Sequence, residues 1–211
     1  ANLISAALRK TNVTLDATGS SCVWVGANCA TSALPFVEFL AGANIYSDNA
    51  VTTLRVLATG GTVNVHSNID AGQVYIEAAN ISVKGNIGST GGPSGLIVLL
   101  GAQINIFGGL GSNGQSTIGS SSASILGSNR RRRITESALD VDNTPYTTIG
   151  GSVLVLSSGD IFIDKNAALT ANGSSGGLVS VVSQQGTVSM NGIADALGTL
   201  GKGGQILVSG Q

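Results

Sequence analysis

This chain carries little charge. Lys, Arg, Asp and Glu make up 10% of its 211 residues, well under half of the usual quarter. Ten basic residues against eleven acidic ones leave a net charge of -1, so no global field draws the chain to nucleic acid or to an anionic membrane. Aromatic residues reach only 4%, there are three prolines, and no run approaches the eighteen or so apolar residues of a membrane helix. Metal ligands are equally scarce. Two cysteines and one histidine cannot make a four-ligand zinc site, because Cys22 and Cys29 would need two further ligands and His66 lies far away in the sequence pattern. We therefore expect no metal and no cofactor.

What the chain does have is glycine, at 31 positions, together with 42% apolar residues and a mean hydropathy of +0.33. That hydrophobicity excludes disorder and implies a folded, β-rich core. No break in composition divides the chain, so residues 1–211 read as one elongated domain.

A pattern repeats between residues 150 and 211. Gly151, Val153, Val155, Ser157, Gly159, Ile161, Ile163 and Leu169 are answered by Gly177, Val179, Val181, Ser183, Gly186, Val188, Met190 and Ile193. A third copy opens with Gly204, Ile206 and Val208, so the copies start 26 and then 27 residues apart. Self-similarity at this period signals stacked coils, each unable to bury its apolar side until a neighbour covers it. The same columns run upstream through Leu54, Val56, Val63, Val65 and Ile69, then Val74, Ile76, Ile81, Val83 and Ile87, then Ile97, Leu99, Ile104, Ile106 and Leu110. Strict alternation places these residues on the inner side of each strand. The fold class expected is all-β: a right-handed parallel β-helix with coils of about 20 to 27 residues.

Residues 1–50 are looser. Val13 and Leu15, Val23 and Val25, Val37 and Phe39, and Ile45 suggest two further coils or a cap, with a helical turn at 6–10. Residues 111–149 interrupt the repeat and read as an inserted loop.

The run Gly-Gly-x-apolar-x-apolar-x-Ser, followed by Gly-x-apolar-x-apolar, resembles the repeats of filamentous haemagglutinin-like exoproteins exported by two-partner secretion. The opening Ile4 to Leu8 and Asn12 to Leu15 resembles a segment of the same proteins. The resemblance covers most of residues 1–110 and 150–211. It implies a non-catalytic β-helical rod of a bacterial surface or extracellular fibre protein, used for adhesion or biofilm structure, secreted or held at the cell surface. The cysteine pair and the arginine run fall outside that pattern. The chain opens at Ala1 with no charged-then-apolar leader, as expected of a processed or excised segment.

Few residues offer chemistry. Cys22 and Cys29 are expected to form a local disulfide in an oxidising compartment, with a pair of buried thiols as the alternative. Arg130, Arg131, Arg132 and Arg133 could grip host or matrix glycans carrying sulfate or phosphate, mark a protease site, or be a solvated loop balanced by Glu136, Asp140 and Asp142. Asp160 and Asp164 keep open the alternative of a carbohydrate-active β-helix enzyme, a polysaccharide lyase or hydrolase. As isolated carboxylates they fit corner residues better. His66 reads as a surface histidine on the outward side of its strand. Asn12, Asn80 and Asn172 stand in acceptor sequences for N-glycosylation. Finally, Val98, Leu100, Leu154, Leu156 and Val182 form an outward apolar stripe, expected to be covered by residues 111–149 or by a neighbouring subunit in a fibre.

Overall fold

The structure, a computed structural model, describes residues 1–18, 22–25, 34–89, 95–111, 150–173, 175–198 and 202–211, with the strand path alone for 22–25. It is built from stacked three-sided coils of parallel strands. A short helix α1 (Asn2–Leu8) leads into β1 (Val13–Asp16), β2 (Cys22–Val25), β3 (Phe36–Phe39) and β4 (Ile45–Tyr46). The next coil is β5 (Thr53–Val65) with β6 (Ile69–Ala71), and the third is β7 (Gln73–Val83) with β8 (Ile87–Ser89). Coil four holds β9 (Leu96–Gly101), β10 (Gln103–Ile106) and β11 (Gly109–Gly111), and coil five β12 (Ser152–Ser157), β13 (Ile161–Ile163) and β14 (Ala168–Thr170). Coil six is β15 (Leu178–Ser183), β16 (Val188–Met190) and β17 (Ile193–Asp195), and β18 (Gln205–Ser209) begins a seventh level.

Register proves the stacking. On the first face Leu54, Val74, Ile97, Val153, Val179 and Ile206 pair one above another, all in parallel strands. β5 and β7 continue without a break past a register shift between Ala58 and Thr62 onto the second face, where Val63, Ile81, Ile104, Ile161 and Val188 form the matching column. The third face is a separate six-stranded sheet with the column Ile45, Ile69, Ile87, Leu110, Leu169 and Ala194. β12 pairs directly with β9, so the stack continues in register across residues 112–149.

The core is the sum of these columns. Leu54, Ile76, Leu99, Ile104, Val155 and Ile163 are all fully buried in one aliphatic cluster. Alternation makes this possible, because successive side chains of a strand point to opposite sides. Close stacking requires glycine at several corners. A Cβ on Gly85 would run into the Ser67 carbonyl, and one on Gly108 into the Gly85 carbonyl.

Three expectations need correction. Residues 13–46 supply one coil and an extra strand, not two coils: β1, β3 and β4 occupy the three faces, while β2 adds to the edge of β3. The helix spans Asn2–Leu8, earlier than 6–10, and ends on Leu8, its residue buried in the core. Thr52 Oγ1 donates to the Leu8 carbonyl at 2.6 Å and Tyr46 N to Ser5 Oγ at 3.1 Å, tying the helix to the first coils. Ile193 pairs with Ala168 and is 62% exposed, so the inward residue of that strand is Ala194, partner of Leu169.

Candidate functional site

Acidic residues come first, since an enzyme of this architecture would need them. Thr187 donates to Asp160 Oδ1 from its backbone N–H at 2.8 Å and from its hydroxyl at 3.0 Å. These bonds, the backbone one foremost, hold the Asp160 carboxyl below the usual carboxylate range. Asp160 precedes Ile161 as Gln103 precedes Ile104 and Thr187 precedes Val188, so its column neighbours are Gln103 and Thr187, neither of them acidic. Asp164 Oδ1 accepts from Asn166 N and Nδ2, both at 2.9 Å, within its own turn. Both carboxylates are thus engaged in joining or turning the chain. Asp16 does the same for Thr18, whose backbone N–H donates at 2.8 Å and lowers the Asp16 pKa.

The Asp160 bond gives a pH-dependent prediction. A carboxyl depressed in the folded state stabilises the fold above its ordinary pKa of about 4, and the contribution fades as pH falls through the depressed value. Asp160→Ala should therefore melt below wild type at pH 7, with the gap closing in acid; thermal melts across pH 2 to 7 read it, and a gap independent of pH would contradict the assignment.

His66 faces outward as expected, yet its side chain is partly buried, with Nε2 3.4 Å from Glu38 Oε1 on the preceding coil. Among the described residues no three His, Cys, Asp or Glu side chains converge as metal ligands, and no helix is long and apolar enough to cross a membrane. Cys22 lies on β2, but its side chain and Cys29 fall outside the described residues, as do Arg130 to Arg133, Glu136, Asp140, Asp142 and the insert 112–149.

A ladder invisible to the strand pattern runs along the corner before the third face. Asn68 N donates to Asn44 Oδ1 at 2.9 Å, Asn86 N to Asn68 Oδ1 at 3.2 Å, and Gly109 N to Asn86 Oδ1 at 2.8 Å. Each asparagine meets a backbone donor of the next coil. Serines link coils in the opposite sense elsewhere, donating to carbonyls of the preceding coil: Ser157 Oγ to that of Ala102 at 2.9 Å and Ser183 Oγ to that of Gly159 at 2.7 Å. Asn86→Ala should cost about 1 to 2 kcal/mol by orphaning the Gly109 N–H; urea unfolding measures it, and no change would mean that the ladder is dispensable.

The outer side of the first face is the remaining surface of note. Its middle column reads Arg55, Tyr75, Val98, Leu154, Ser180, Leu207 and the next Leu57, Glu77, Leu100, Leu156, Val182, Ser209. Coils two and three carry a polar cluster. The Arg55 guanidinium lies 5.0 Å from the Tyr75 ring centroid, and Tyr75 Oη donates to Glu77 Oε2 at 2.7 Å. Burial, then the Glu77 bond, pushes the Tyr75 pKa up. An open groove of about 340 Å³ runs beside this cluster between Thr59 and Leu100, with Glu77 as the one ionisable side chain on its walls.

Coils four to six are mostly apolar, with Ser152 and Ser180 among leucines and valines. The five residues read from the sequence do stack: Leu154 on Val98 and Leu156 on Leu100, with Val182 next to Leu156. A third column adds Leu96 and Leu178, which flank Ser152. The same alternation that marks Val98 and Ser180 as outward, counted back two residues, would have found both. Leu156 is 37% exposed and Leu207 52%, whereas Val98 keeps only 8%.

A scan against protein-family models finds no match, and searches of the curated proteins and of the solved structures also find none.

Proposed function

We propose that this chain is a right-handed β-helical rod of the filamentous haemagglutinin-like kind, exported to the cell surface or an extracellular fibre, with a structural or adhesive role and no catalysis. Its working part is the outer side of the first face. The observation that carries this reading is the contiguous apolar surface over three stacked coils, on a scaffold whose acidic corner residues are occupied with hydrogen bonds to the chain itself. Contiguous apolar patches are uncommon on isolated proteins and mark contact surfaces. Hydrolysis of glycosides calls for a pair of carboxyl groups flanking the substrate, and the groove beside Tyr75 offers only Glu77. The rod would also carry the Arg130 to Arg133 run as a site for anionic host or matrix glycans, and a Cys22–Cys29 disulfide suits the oxidising compartment of an exported protein.

A screen on acidic polysaccharides with and without calcium tests this reading. No chain cleavage is expected, with retention on cell-surface or matrix material that falls when Arg130 to Arg133 are replaced by serine. Reproducible cleavage, lost on Asp160→Asn or Asp164→Asn, would replace the rod by an enzyme.

A further inference from the structure

The apolar face has a symmetry of its own about coil five. Leu96 lies one coil to one side of Ser152 and Leu178 one coil to the other; Leu100 and Val182 flank Leu156 in the same way. We infer that a second copy of this chain packs face to face on the first, its rod axis antiparallel, about a dyad that runs along β12. The inference rests on the reading of this face as a contact surface and names its partner.

A rotation about the β12 direction keeps each column and exchanges coil four with coil six. Leu96 of one copy then meets Leu178 of the other, Leu100 meets Val182, Val98 meets Ser180, and Leu154 and Leu156 meet their own counterparts. One step further out, Tyr75 meets Leu207 and Glu77 meets Ser209. Glu77 is the one charged residue on the outer side of this face from coil three to β18, so no like charges are opposed. The other face-to-face dyad, along the rod axis, reverses the columns at each level. It sets Arg55 near Arg55 and leaves two guanidinium groups facing each other in a shielded seam, a repulsive arrangement.

Size supports a specific contact. Five levels about 4.8 Å apart and three columns about 6.7 Å apart cover roughly 500 Å² per copy, or about 1,000 Å² in all, the lower bound for a specific interface. Flat sheet faces pack about 10 Å apart with interdigitated side chains, which the leucine columns provide.

Light scattering on the whole chain at about 100 μM, a concentration suited to a contact at the small end of specific interfaces, should give a dimer. Leu154→Lys should raise the dissociation constant at least about tenfold while leaving the circular dichroism unchanged, and the Tm unchanged when both proteins are melted as monomers at high dilution, because the side chain points outward. The arrangement is read with a bifunctional thiol cross-linker of about 8 Å reach, its products mapped by mass spectrometry, because Cα atoms on faces about 10 Å apart are too distant for a direct disulfide. A mixture of Leu96→Cys and Leu178→Cys chains should cross-link, and a mixture of Leu96→Cys and Leu100→Cys chains should not. The reverse pattern would overturn the antiparallel dimer and keep the contact surface. A wild-type monomer that aggregates when residues 112–148 are deleted would make that segment the occupant and overturn the second copy. A wild-type monomer indifferent to both changes would overturn the contact surface as well.

Discussion

Gly108→Ala should lower stability by about 3 kcal/mol, a fall of roughly 10 °C in Tm for a chain of this size. The added methyl group has nowhere to go, since the space holds the carbonyl of Gly85 and, beyond it, that of Lys84. These are backbone atoms at a corner where successive coils touch, so relief requires moving one coil against the next. Gly203→Ala is the control. A Cβ there meets nothing within 4 Å, and its φ lies outside the left-handed region. Equal melting of the two variants would mean that the coils are not stacked at this spacing.

Ile104→Ala should cost about 3 to 4 kcal/mol through lost transfer energy and the cavity left behind. Ile104 is fully buried between Ile81 and Ile161, and both neighbours are held by strand pairing, so the space cannot easily collapse. Leu156→Ala, on an outward position 37% exposed, should change the stability of the monomer by less than about 1 kcal/mol. Chemical denaturation of the two variants checks the alternation, and a larger loss for Leu156 would reverse inside and outside.

How far the fold could be read depended on strand length. Over the long strands Thr53–Val65 and Gln73–Val83 a period of two is plain, and the inward columns were legible to the residue. Over the three of Ile193–Asp195 it is ambiguous. The large residue, Ile193, turned out to be exposed, and the small Ala194 takes the place above Leu169, partly buried against the core. The first fifty residues misled for a related reason. Val23–Val25 and Val37–Phe39 carry the same alternation, and nothing in either segment tells that both fall on the second face.

The corner ladder was not legible at all. Asn44, Asn68 and Asn86 are 24 and 18 residues apart, and the unequal spacing hides a column that exists only once the coils are in register. The outer face was half legible. Its two C-terminal columns of leucine and valine follow from the inward pattern by parity, but the Arg55–Tyr75–Glu77 cluster joins side chains from neighbouring coils, which takes the stack to see. Asp160 drew attention as an acid and proved to be a link between coils, because its partner Thr187 lies 27 residues away.

The stack itself is open to one direct distance measurement. Arg55, Tyr75, Val98, Leu154 and Ser180 form a single outward column, so Arg55 and Ser180 are separated by four coil steps. At about 4.8 Å per step their Cα atoms lie roughly 19 Å apart, although they are 125 positions apart in sequence with the segment 112–149 between them. Spin labels carried on unnatural amino acids at the two positions, diluted in unlabelled protein and read by pulsed electron resonance, should give one narrow distribution near 20 Å. A broad distribution, or one centred beyond about 35 Å, would contradict the in-register stack of parallel coils on which the rod, its ladders and its apolar face depend.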